Sequence, residues 1–502
     1  MRGDFTRDTF FEAHRFTRVL MQQGRVQLDA DWNEQTSILL HYLRALTVDV
    51  VGPYGGPEDD LGYTVTSTGK GDFSLSPGHY YVDGLLCENR PENFTSSANG
   101  LFYTQQKDLP GVGPLKAPDT GGLQNYLVYL DVWEQHITYL QEDDIREVAL
   151  NGPDTASRAR LVTQVKVASQ LLPDQDIPDA PTGYSNWHDW LFDATKGPTR
   201  WDQFTGTLQG ANRGMLKARG RQASSKDTEV CLASPDSHYR GAENQLYRVE
   251  IHRGGSAWDE KTGSDGQSQA ATFKWSRENG CVVFPIDQLS GTTAVVEKAH
   301  DDQLGLHTGE WVEVVSDATD LSGQPGPLAE VLAVSPSDDP TRQIVKLRPP
   351  DNVTLPGFDA NSQAAHPLLR RWDSRAATQD MDAQQKKTYL ENTGGAVLVE
   401  EGAWLDLENG VQVWFDPAGS PSTQVYRSSD FWLIPARTAI EDVLWPGEPD
   451  APITQPPNGV THHYAPLAML PVSGAAGGGT AASLQDTFKT LVELTRLAAS
   501  KK

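Results

Sequence analysis

Short apolar runs at strand period, each halted by glycine or proline, dominate this chain and limit what it can fold into. Leu127-Val128-Tyr129-Leu130-Asp131-Val132-Trp133 is the strongest run. Phe73-Ser74-Leu75-Ser76-Pro77-Gly78 followed by 79–86 reads as strand, turn, strand. Others fall at Leu161–Val167, Tyr247–Ile251, Ala271–Trp275, Trp311–Val315, Gln343–Leu347, Val397–Val399, Val411–Phe415 and Phe431–Ile434. Among 502 residues, 45 Gly and 32 Pro supply the turns such a series needs. The pattern predicts a mainly β chain, α+β overall, built of several small sandwich or barrel-like modules. No repeat of solenoid period is present.

The two ends break this pattern. Around Gly24, Phe10, Phe11, His14, Val19 and Leu20 form one loose apolar stripe. Trp32, Ile38, Leu39, Tyr42, Leu43, Leu46 and Val50 form another at helical spacing, with Asp29 or Asp31 as cap and Gly52-Pro53 as stop. Leu484, Phe488, Leu491, Val492 and Ala498 predict an amphipathic C-terminal helix tethered by the Gly-rich 473–479. A short helix is expected over 155–160. The linear division is then an N-terminal helical docking segment 1–57, β-rich modules 58–172, 223–350 and 351–472, a Pro/Trp-rich insertion 173–222, the linker 473–479 and the helix 480–502.

Charge narrows the partners. The 42 Lys and Arg against 67 Asp and Glu give a net charge of −25. No basic run serves phosphates, so nucleic acid is not expected, nor an anionic membrane surface. No apolar stretch is long enough to span a bilayer, and the start lacks a secretory signal. Cys87, Cys231 and Cys281 are too few and too far apart for a disulfide framework or zinc site. A cytoplasmic protein without cofactor or metal is expected.

Candidate chemistry is sparse. Asp29-Ala30-Asp31-Trp32-Asn33-Glu34 begins like a calcium loop, but Glu34 stands where glycine is needed and Leu40 where glutamate is. Arg2-Gly3-Asp4 is an adhesion tripeptide that short chance matches produce. His462-His463 would point to opposite strand faces and not share an ion. Asn279-Gly280 is a hairpin turn signal flanked by Arg277 and Glu278. Trp187, Trp190 and Trp201 in the insertion could stack on sugar rings or form its core. Dinucleotide, P-loop, serine-hydrolase and zinc-protease motifs do not occur, and no catalytic residue is assigned.

The opening Gly3-Asp4-Phe5-Thr6-Arg7, followed by 18–35 (RVLMQQGRVQLDADWNEQ), resembles that of a large bacterial family of unknown biochemical function whose genes accompany contractile injection systems and phage-tail-like particles. The resemblance continues at 77–84, 129–134, 271–277, 366–373 and 430–437. It implies a structural, non-enzymatic component, baseplate-associated, incorporated into a phage-tail-like particle beside baseplate, spike or sheath proteins. Trp32, Ile38, Leu39, Tyr42, Leu43, Leu484, Phe488, Leu491 and Val492 are then the expected docking residues. The alternatives are a fibre or spike module reading cell-envelope glycan through Trp187, Trp190 and Trp201, and an envelope-glycan hydrolase using Glu278 and Glu260.

Overall fold

The strongest apolar run folds as one long strand, Leu123–Ile137, buried on both faces through its centre. A strand that meets water on neither side has no reason to alternate, which accounts for the nearly continuous apolar stretch. In the computed structural model the described residues are 1–69, 71–90, 101–116, 122–150, 154–173, 175–210, 213–221, 238–258, 270–299, 304–351, 353–374, 395–417, 424–473 and 479–489. Strands prevail among them, in several small sheets, and the class is mainly β within α+β.

Leu123–Ile137 pairs antiparallel with Arg158–Ala168 and with His463–Ser473, and Ala482–Ser483 extends the sheet. One face sets Val128, Leu130, Val132 and Leu467 against Phe73, Leu75, Tyr80 and Val82. These come from the small sheets of residues 54–102, where Tyr54–Pro57 lies between Gly78–Val82 and Thr487–Phe488. The other face presents Leu127, Tyr129 and Met469 to two helices, Trp187–Leu191 and Arg200–Gln209. Both helices carry strong N-caps: Asn186 accepts from the Asp189 N–H at 2.8 Å and Thr199 from the Asp202 N–H at 3.0 Å.

A second unit packs a three-stranded sheet (Leu216–Gly220, Val411–Phe415, Trp404–Asp406) on a five-stranded one containing Thr272–Ser276, Gln245–Arg253 and Phe431–Arg437. Tyr247, Phe273, Trp275, Phe415 and Trp432 fill its core. A third is a closed barrel of six strands: Val283–Ser290, Thr293–Glu297, Arg342–Arg348, Leu328–Pro336, Trp311–Val315 and Leu368–Trp372. Phe284, Ile286, Val312, Val345 and Leu369 point into it.

The three units are nested. The chain leaves the first, enters the sandwich, leaves that for the barrel, then returns to the sandwich and finally to the first unit. Sheets therefore join segments across the linear divisions: Leu368–Trp372 belongs with the barrel, and Gln245–Arg253 pairs with Phe431–Arg437. Periodicity marks that a strand exists, not which strand it will meet.

Several local expectations are corrected. The expected C-terminal helix is instead two short strands, Ala482–Ser483 and Thr487–Phe488, as far as Lys489, and residues 490–502 lie outside the described residues. Residues 158–160 open a strand, so 155–160 is no helix. The stripe before Gly24 forms only the 3-10 turn Glu12–His14. The run 73–86 does fold as strand, turn, strand, with Asp72–Leu75 and Gly78–Val82 entering different sheets. Asn279 (φ 52°) and Gly280 (φ 67°) do make a tight turn, but it passes the chain from the sandwich into the barrel. Among the described residues no helix is long and apolar enough to cross a membrane.

Candidate docking surface and the charged junction

Residues Asp29–Val51 form one helix, about 34 Å long at roughly 1.5 Å per residue. Asp31 starts it by accepting the Leu28 N–H at 3.2 Å, and Asp29 accepts from Thr6 N and Oγ1 at 2.9 and 2.6 Å. Those ties explain the acidic opening without calcium. The chain before the helix doubles back along it. Thr9 Oγ1 donates to Glu34 at 2.7 Å, and the Val19 N–H donates to Gln35 at 2.9 Å.

The inner side of the helix is fixed by Ala30 and Ile38, each 1% exposed, and by the Arg44–Glu134 ion pair at 2.9 Å. The outer side is apolar and open. Trp32 (67% exposed), Leu39, Leu43 (59%), Leu46 and Val50 (76%) recur at intervals of seven, four, three and four residues, so they form one stripe. Tyr42 flanks it, also exposed. Phe11, Phe16, Leu20, Met21 and Val26 of the preceding segment are exposed as well. Fourteen of the twenty-three large exposed apolar side chains among the described residues fall within the first 51. Soluble monomers rarely expose contiguous apolar patches beyond a few hundred Å² unless the patch is used for contact.

The other expected site residues divide differently. Of the helical docking set, Trp32, Leu39, Tyr42 and Leu43 share the outer surface, whereas Ile38 belongs to the inner side. Leu484 is 1% exposed in the core beneath the insertion, so it stabilises this chain and is not free to dock elsewhere. Phe488 is half-buried, paired with Pro57. Leu491 and Val492 lie outside the described residues. Trp190 and Trp201 pack under the two insertion helices and present no face for a sugar; Trp187 is half-buried, its ring edge-on to Trp190 at 5.3 Å. The Arg2-Gly3-Asp4 tripeptide is not displayed, because Gly3 is buried and Arg2 pairs with Glu250 and Asp320.

Where the three units meet lies a cavity of about 1850 Å³, and the helix borders it through Asp29, Trp32 and Arg44. Beside it sits a charged network. Glu250 accepts from Arg2 Nη2 at 2.8 Å and from Arg248 Nε at 2.5 Å, with Lys274 Nζ at 3.5 Å. Lys274 also donates to Glu313 at 2.7 Å, and Glu313 accepts from Trp372 Nε1 at 2.9 Å and the Gly326 N–H at 2.9 Å. Burial pushes both carboxyls up, but the surrounding cations outweigh it: Glu250 is held well below its usual range and Glu313 at about 2. Asn279 ties in the first residues, donating to the Gly3 carbonyl at 2.8 Å.

This network was not anticipated. Its signal was a charge inside each of three apolar strands: Glu250 between Val249 and Ile251, Lys274 between Phe273 and Trp275, and Glu313 between Val312 and Val314. Alternation alone sends such residues to water. Here they face the seam between units, where opposite charges from separate sheets meet.

Two further sites hold expected residues. His462 Nδ1 meets Asp131 at 2.7 Å and His463 Nδ1 meets Asp83 at 2.9 Å, so the adjacent histidines have separate carboxylate partners. Glu278 lies near Asp373 and 3.4 Å from Arg371. Burial, then the Asp373 charge, raises its carboxyl to about 7. Glu260 lies outside the described residues.

A many-stranded body with one exposed apolar helical face is the class of protein these features define. The chain belongs to the family of unknown function DUF6519, whose model matches residues 1–218 and 211–484. No curated protein and no solved structure matches it.

Proposed function

We propose that this chain is a structural, non-enzymatic subunit of a contractile injection system or phage-tail-like particle, associated with its baseplate and held there by protein–protein contact. The observation that carries the reading is the outer stripe of the helix Asp29–Val51, where Trp32, Leu39, Leu43, Leu46 and Val50 lie open to solvent beside an equally exposed apolar arm. The sequence likeness of the opening block supplies the assembly. The partner under this reading is another baseplate, spike or sheath protein presenting an apolar groove, and the chain is cytoplasmic until incorporated.

The charge distribution supports it. Residues 1–50 carry six Arg against seven acids, whereas the whole chain is at −25. Like-charged bodies repel one another, and contact is directed to the nearly neutral face. Each apolar anchor fully buried on docking contributes about 1.5–3 kcal/mol before ordering costs.

The test is the double variant Leu39→Asp with Leu43→Asp in the native host. Both positions face solvent, so folding and thermal stability should match wild type. The wild-type chain should co-sediment with rod-like particles containing sheath and tube proteins, and the variant should stay in the supernatant. Equal incorporation of the variant, or absence of the wild-type chain from such particles, would overturn the reading.

A further inference from the structure

Six cationic side chains, Arg2, Arg44, Lys166, Arg248, Arg370 and Arg427, line the cavity among the described residues, together with nine carboxylates. Five are paired with carboxylates. Arg2 and Arg248 meet Glu250, Arg44 meets Glu134, Lys166 meets Asp131 at 2.6 Å, and Arg427 lies 3.5 Å from Asp430. Arg370 has no such partner among the described residues. Its Nη1 donates to the Gly280 carbonyl, and its Nε, although buried, has no acceptor.

The position makes this unusual. Leu369 points into the barrel, so Arg370, next along the strand, points out of it toward the junction. Only 7% of Arg370 is exposed. Its cross-strand neighbour is Glu313, whose carboxylate accepts from Lys274, Trp372 and the Gly326 N–H and not from Arg370. A buried guanidinium with one carbonyl partner leaves most of its five N–H donors without a protein acceptor, and an unmade hydrogen bond in a buried site is costly. Burial and the nearby Arg2 push Arg370 below its usual range, against the opposing pull of Asp320, Glu313 and Glu250. A second buried donor among the residues that line the cavity, Trp133 Nε1, also lacks an acceptor.

We infer that the cavity is a binding site for the oxyanionic group of a small molecule, a phosphate or a carboxylate, held by the Arg370 guanidinium. The planar fork of arginine suits such oxygens in paired hydrogen bonds. The cavity is far larger than one oxyanion and has room for the body of a metabolite-sized ligand. The site stands independently of particle docking.

Calorimetric titration of the full chain tests this, with inorganic phosphate and with succinate, against sodium chloride at matched ionic strength. The wild-type chain should show one saturable site for phosphate, for succinate or for both; which probe binds identifies the group. Arg370→Gln should weaken that binding at least tenfold while leaving circular dichroism and the melting temperature near wild type. Should R370Q not fold, R370K decides, since it keeps the charge and loses the fork: binding several-fold weaker is the expected result. No saturable binding of either probe by wild type overturns the inference. So does unchanged affinity in folded R370Q or, where that variant fails to fold, in R370K.

Discussion

Glu278 shows how one side chain records its surroundings. Burial and the neighbouring Asp373 carboxylate raise its carboxyl from the ordinary 4.5 to about 7. The folded state therefore holds this proton more tightly than the unfolded chain does. Between pH 4.5 and 7 the unfolded chain has lost the proton and the folded one keeps it, so stability from this group falls as pH rises through that window and is fully lost above 7. Glu278→Gln should thus gain on the order of 2 kcal/mol over wild type at pH 8 and little at pH 4.5, read from denaturant melts at both values. An equal effect at both would mean the carboxyl titrates normally. At this scale the sequence was legible where chemistry is local. Asn279-Gly280 turned as its left-handed preference requires, and Asp31, in the first turn of its helix, accepts the Leu28 N–H that opens it. It was not legible where partners come from afar. Nothing near His462 or Lys274 announces Asp131 or Glu313, which arrive from other strands.

Among the elements, the helix Asp29–Val51 was plain in the spacing of its apolar residues; which side would be buried was not, because apolar residues stand nearly all around it. The choice is made by the turn it crosses. Gly84 (φ 78°) lies so close beneath that an added Cβ would stand 2.5 Å from the Arg44 carbonyl oxygen. Gly84→Ala should cost about 1–3 kcal/mol through backbone strain and should lift the helix, speeding amide exchange over residues 38–48. Unchanged exchange there would show that the helix is held by something other than this close approach. The C-terminal segment teaches the converse. Leu484 and Phe488 fit a helical stripe, yet a sheet edge and a hydrophobic socket were available, and tertiary pairing overrode a marginal local preference.

For the whole molecule, individual strands were easier to find than their arrangement. Trp311–Val315 and Val411–Phe415 appear where alternation placed them. The nesting of barrel within sandwich within the first unit depends on pairings separated by up to several hundred residues, as between Leu123–Ile137 and His463–Ser473. The charged junction lies where these units converge, so it became visible only with the topology. The exposed helical stripe stands at the same level: apolar spacing foretold it, and the fold left it open. Its use is best measured by placing a photo-crosslinking amino acid at Leu43 in the host that makes the particles, with Val353, an exposed apolar residue in the connection between two barrel strands, as control. The account predicts adducts of position 43 with baseplate, spike or sheath proteins and none from position 353. Adducts with the same proteins from both positions, or none from 43 in assembled particles, would contradict it.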